Sequence, residues 1–163
     1  MKKLYIIRHA KSSRSDETLK DFERPLSKRG KANAPMMGER LKENGIMPDI
    51  IISSPAKRAK TTAEIIAKEI GYKKKILFDE NIYESSVDEL RKILRAIDDK
   101  NSAAFLVGHN PSLNDLANYY VHHEENIPTC GIMEIAFECD TWAEIEPKNA
   151  KLLSFEYPKK SDG

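Results

Sequence analysis

Residues 4–11 read LYIIRHAK and residues 102–110 read SAAFLVGHN. In each, an apolar run rich in β-formers stops abruptly on a polar cluster, Arg8-His9 in the first and His109-Asn110 in the second. KLYIIR, residues 3–8, reads as the first strand. DIIISS, residues 49–54, is a continuous apolar run, the pattern of a strand buried on both faces of a parallel sheet. Between such runs lie stretches with helical period. Alternation of this kind points to an α/β domain. The expected architecture has three layers, α/β/α, with a mostly parallel sheet flanked by helices.

The punctuation agrees. PLSKRGKANAPMMGERLKENG, residues 25–45, reads as a helix with Ser27 as N-cap and Gly45 as the C′ residue. Pro35 predicts a kink, or a separate turn before the main helix. Pro55 fits the first turn of a helix running through TTAEIIAKEI to Gly71. KILFD, residues 75–79, reads as a short strand, Ser86 or Asp88 as the start of a helix through LRKILRAI, and PSLNDLANYYV as another. GIMEIAFE and KLLSFEYP, around Trp142, read as strands with no helix between them, hence antiparallel additions. Residues 1–158 are expected to form one domain and 159–163 a disordered tail.

Bulk properties remove several classes of function. A chain of 163 residues can bury a real core. The net charge of +1 gives no global attraction to nucleic acid or an anionic membrane. The opening apolar stretch, residues 4–7, is far too short for a signal or a span, so the expectation is a cytoplasmic protein. Cys130 and Cys139 form no zinc-ligand pattern and no disulfide framework, and read as packing or surface thiols. His122 and His123, in HHEEN, read as solvated. Neither GxxxxGK[ST] nor GxGxxG occurs, which argues against a nucleotide-binding protein.

In parallel α/β sheets, ligands bind beyond the carboxyl ends of the strands. Arg8-His9 fall at such an end. So do Ser53-Ser54-Pro55, with Arg58 one helical turn further, then Glu84, and then Gly108-His109-Asn110. Two histidines, two arginines and a carboxylate thus converge although they lie far apart in the chain. Guanidinium forks beside helix N-termini suit a dianionic phosphate, and a histidine between them suits a nucleophile. Taken singly, each has a plainer reading. Arg58 lies in the basic run Lys57-Arg58-Lys60, normally a solvated face, and His109 could be structural.

The segments LYIIRHAK, PLSKRG, IISSPAKRAKTTAEII, NIYES and LVGHNP, in that order over residues 4–111, resemble the histidine phosphatase superfamily with its phosphoglycerate mutase-like fold. Short length and PLSKRG are most similar to its SixA-type phosphohistidine phosphatases. RHA stands where the family usually has RHG. Ser15 stands where larger members carry an asparagine six residues after the histidine.

The resemblance implies a metal-independent phosphatase that needs no cofactor. His9 is the implied nucleophile. Arg8, Arg58 and His109 are the implied holders of the phosphoryl oxygens, with Ser15 as a further donor. Glu84 is the preferred general acid, with Asp21 or Glu23 as competitors. Its partners are phosphorylated substrates, with no nucleic acid and no membrane. A site this open suits phosphohistidine on a protein. The alternatives are a phosphatase of small phosphorylated metabolites and a non-catalytic phosphate- or phosphoprotein-binding module.

Overall fold

The computed structural model describes residues 1–159. In chain order the elements are β1 (Lys2–Arg8), α1 (Lys28–Glu43), β2 (Ile50–Ser53), α2 (Lys57–Ile70), β3 (Leu77–Phe78), α3 (Val87–Arg95), β4 (Ala103–Gly108), α4 (Ser112–Val121), β5 (Ile132–Phe137) and β6 (Ala150–Glu156). Six strands form one sheet in the order β3-β2-β4-β1-β5-β6. The first four in that order run parallel, while β5 is antiparallel to β1 and β6 to β5.

Strand alternation divides the core into two. Leu4 and Ile6 face a cluster with Leu90 and Leu94 of α3 and Leu113 and Leu116 of α4. Tyr5 and Ile7 face the opposite cluster, with Met37 and Leu41 of α1 and Ala63 and Ile66 of α2. This is the expected three-layer arrangement, and the unbroken apolar runs exist because both faces of β1, β2 and β4 are covered. Each fully buried Leu or Ile contributes about 1.5–3 kcal/mol of transfer free energy.

Ser27 caps α1 by accepting from Gly30 N at 3.1 Å. Gly45 closes it at φ +68, donating to Lys42 O at 3.0 Å while Ile46 N reaches Leu41 O. The helix runs through Pro35 as one element, so no separate turn precedes the main helix. Pro55 precedes α2 rather than entering it, since Ala56 is the N-cap residue. Ser86 starts α3 with a complete capping box. Two 3-10 turns, Trp142–Glu144 and Pro147–Asn149, separate β5 from β6. The proposed disordered tail falls, apart from residue 159, outside the described residues. Among the described residues no helix is long and apolar enough to cross a membrane.

Candidate active site

Register brings the two histidines together. Arg8 pairs with Gly108 across β1 and β4, so both strands end at one level. His9 N then donates to Gly108 O at 3.1 Å, and the His9 and His109 rings lie 5.1 Å apart. Arg58 reaches the same place from the first turn of α2. Its neighbours Lys57 and Lys60 are exposed, but Arg58 itself is only 7% exposed, so the run is a solvated face with one member turned inward.

The turn after β1 is fixed from several sides. The Ala10 amide donates to Thr62 Oγ1 at 2.9 Å, and Thr62 Oγ1 donates to Arg58 O at 2.7 Å. Cys130 N donates to the carbonyls of Arg8 and His9. Lys11 O accepts from both Ser27 N and Ser27 Oγ, and Ser12 forms a bridge with Leu26. Gly30 lies against this strap: a Cβ there would meet Lys11 O at 2.1 Å. PLSKRG therefore clamps the segment that follows His9.

His9 Nδ1 donates to the Ala10 carbonyl at 2.7 Å, which leaves the lone pair on Nε2. Burial lowers the His9 pKa to about 4, outweighing the opposite pull of the Ala10 bond, and Arg58, Arg8 and Arg24 push the same way as burial. His109 is lowered to about 3, again first by burial, then by His9 and Arg58. Both rings are neutral near pH 7. His109 Nε2 is 2.8 Å from Ser54 Oγ, while its Nδ1 is buried without a partner among the described residues. Arg8 donates through Nη1 to Ile127 O, and its Nε is likewise buried and unpartnered.

A cavity of about 310 Å³ opens over these groups. Among the described residues, five that line it are cationic, Arg8, Lys11, Arg14, Arg24 and Arg58, against one carboxylate, Asp21. Arg58 donates to Asp21 through Nη2 to Oδ2 at 2.9 Å and through Nη1 to the backbone carbonyl at 2.7 Å. Arg24 donates to Oδ1 at 2.9 Å and also to Ser12 Oγ. Tyr83 OH donates to Oδ2 at 2.7 Å. These bonds, that from Tyr83 foremost, hold the Asp21 carboxyl well below the usual carboxylate range. No group of three or more metal-ligating side chains occurs among the described residues.

The structure thus assembles Arg8, His9, Arg58 and His109. It does not bring in Ser15, which is exposed and bonded to Ser13 Oγ at 2.8 Å. Glu84 is also exposed, at φ +53, and does not line the cavity. The extended backbone of Tyr83 turns the tyrosine onto Asp21 and the next side chain away. The sequence reading placed Ser54 at a strand end without giving it a role, and left out Arg24 and Tyr83. Arg24 stands immediately before PLSKRG and Tyr83 within NIYES, and nothing in their spacing says that they meet Asp21. His122 is exposed as expected, but His123 is half-buried and packs on Phe155 at 4.8 Å.

The architecture is that of a histidine phosphatase. The profile of the histidine phosphatase superfamily (branch 1) matches residues 4–109, and the chain belongs to that superfamily, an enzyme family of phosphatases. An uncharacterized protein of Mycobacterium tuberculosis is 27% identical over 164 residues, covering 94% of this chain and 100% of its own length. A SixA structure from Nakamurella multipartitia superposes with a TM-score of 0.85 at 20% identity, covering 96% of both chains. The protein histidine phosphatase SixA complexed with tungstate gives 0.80 at 16% identity, covering 94% of this chain and 95% of that one. These likenesses establish the phosphoglycerate mutase-like fold.

Proposed function

We propose that the protein hydrolyses phosphohistidine on other proteins, passing the phosphoryl group through His9. One observation carries this reading: His9 is neutral, has its Nδ1 proton committed to the Ala10 carbonyl, and lines a cavity dominated by arginines. Its Nε2 lone pair attacks phosphorus in line as the bond to the leaving nitrogen breaks. Arg8 and Arg58 hold equatorial oxygens and stabilise their charge in the transition state. With Ser54 O–H donating to His109 Nε2, the unpartnered Nδ1 of His109 carries a proton for a third oxygen. Water then attacks phosphorus, its proton passing to bulk solvent, and the bond to His9 Nε2 breaks with its electron pair returning to that nitrogen, releasing phosphate.

Asp21 bears on the substrate. It is the carboxylate lining the cavity, and three donors keep it ionised, so it gives no proton to a departing alkoxide. A phosphohistidine needs none from it: the leaving imidazole is protonated from solvent on its distal nitrogen. Five cations around one carboxylate repel a divalent metal, and no step calls for one. Two free thiols, Cys130 and Cys139, suit a reducing, cytoplasmic setting.

The test is intact-protein mass after alkaline quench during turnover in excess chelator, with a phosphohistidine peptide and p-nitrophenyl phosphate as separate substrates. The expected result is one base-stable, acid-labile phosphoryl group, absent in His9→Ala, with the peptide preferred. Preference for small phosphate esters would transfer the reading to metabolites. Phosphate binding without turnover or adduct would overturn it.

A further inference from the structure

A second cleft of about 330 Å³ adjoins the active-site cavity and shares Lys11 and Thr129 with it. Lys11, Arg29 and Lys159 put three cations on its lining, beside Asn33 and Tyr157, and among the described residues no carboxylate lines it. All three cations are exposed, and none forms an ion pair among the described residues. In a chain of net charge +1, unpaired positive charge is therefore concentrated beside the catalytic cavity. A cleft lined by one sign of charge draws the opposite sign.

The wall between the two cavities is held firmly. On one side Lys11 is strapped to Ser27 and abuts Gly30. On the other, Thr129 precedes Cys130, whose amide is bonded to the carbonyls of Arg8 and His9. The two cavities therefore stand at a fixed separation. Lys11 lies two residues beyond His9, a span of roughly 7 Å of extended chain.

We infer that this cleft binds an acidic side chain of the protein substrate, an Asp or Glu one or two residues from the phosphohistidine. The inference rests on the phosphohistidine phosphatase reading above. The phosphoryl group enters the catalytic cavity while the flanking carboxylate meets Arg29, Lys159 and Lys11. The cleft thereby selects among phosphorylated proteins without taking part in the chemistry.

The test uses the full chain and its Arg29→Glu variant, which alters the second cleft alone. Peptides carry either phosphohistidine, for turnover, or a stable phosphoryl-triazole in its place, for binding. The flanking residues are Asp, Ser or Lys. The expected result is an order Asp, Ser, Lys of weakening affinity, with Arg29→Glu raising Kd and KM for the Asp peptide by about tenfold. The kcat for that peptide and all constants for p-nitrophenyl phosphate stay unchanged. Equal affinity for the three peptides overturns the inference. So does an Arg29→Glu effect of equal size on all three peptides. The expected order in binding with no turnover of any phosphohistidine peptide keeps the cleft and overturns the phosphatase reading.

Discussion

Asp21 and Arg58 meet through two hydrogen bonds, one to the aspartate carboxylate at 2.9 Å and one to its backbone carbonyl at 2.7 Å. The guanidinium assigned to substrate phosphate is thus already engaged by an anionic group of the protein. A phosphoryl group that takes Arg58 has to displace, or share with, this carboxylate. Removing the charge in Asp21→Asn is expected to tighten inhibition by orthophosphate or vanadate several-fold. Competitive Ki values measured at one ionic strength check this, and an unchanged or weaker Ki would separate Asp21 from the anion site.

His9→Ala is expected to abolish turnover and the covalent phosphoryl group while leaving the fold in place. The His9 side chain sits at the end of β1, bonded only to the adjacent carbonyl, and no core cluster depends on it. Near-normal activity would sink the mechanism, whereas a collapsed circular dichroism spectrum would assign His9 to the core.

Arg58→Ala is expected to lower kcat/KM by 10²–10³, roughly 2.7–4 kcal/mol if it resembles the loss of one oxyanion donor. Arg58→Lys is expected to restore little, because a lysine supplies one point charge where the structure uses a fork. Steady-state kinetics decide, and a loss of tenfold or less returns Arg58 to a solvated role.

The pH dependence follows from His9 and His109, lowered to about 4 and about 3 by burial and nearby cations. An unfolded chain takes up these two protons near pH 6.5, while the folded chain refuses them until lower pH. Between about pH 4 and 6.5 the unfolded state therefore binds more protons, and stability rises with pH through that window. Urea melts at pH 7, 6, 5 and 4 are expected to show falling midpoints, less so in a His9→Gln, His109→Gln double variant. The acid limb of kcat/KM, corrected for ionisation of the substrate, is expected near pH 4 and not 6.5.

Gly30→Ala tests the clamp. The added Cβ would meet Lys11 O at 2.1 Å, so the strap after His9 has to move. The expected cost is about 1–3 kcal/mol, or roughly 2–10 °C in Tm, together with lost activity. Thermal melts and assays on one preparation check both.

Much of this fold can be read from period and punctuation. LYIIRHAK and LVGHN disclose buried parallel strands because both faces of each are covered, and Ser27, Gly45 and Ser86 sit at true helix boundaries. The short edge strand β3 was legible in KILFD but its bounds were not, since Leu77 and Phe78 are half exposed and follow no burial rule. Residues at strand ends, Arg8, His9 and His109, were predictable because topology alone brings them together. Asp21 opens a 3-10 turn, Asp21–Glu23, and Ser15, Glu84, Arg24 and Tyr83 sit on connecting segments, where a change in one dihedral angle redirects a side chain. Glu84 at φ +53 and Tyr83 beside it point different ways for that reason, and no sequence period encodes it.

Thr62 gives its hydroxyl proton to the Arg58 carbonyl and takes one from the Ala10 amide, tying α2 to the turn that presents His9. The two halves of the catalytic centre come from segments about fifty positions apart, yet they share one bridging oxygen atom. They cannot loosen separately without breaking that link. Turnover and helical ellipticity are therefore expected to vanish along a single urea curve, so that a colorimetric assay reports the fraction of folded molecules directly.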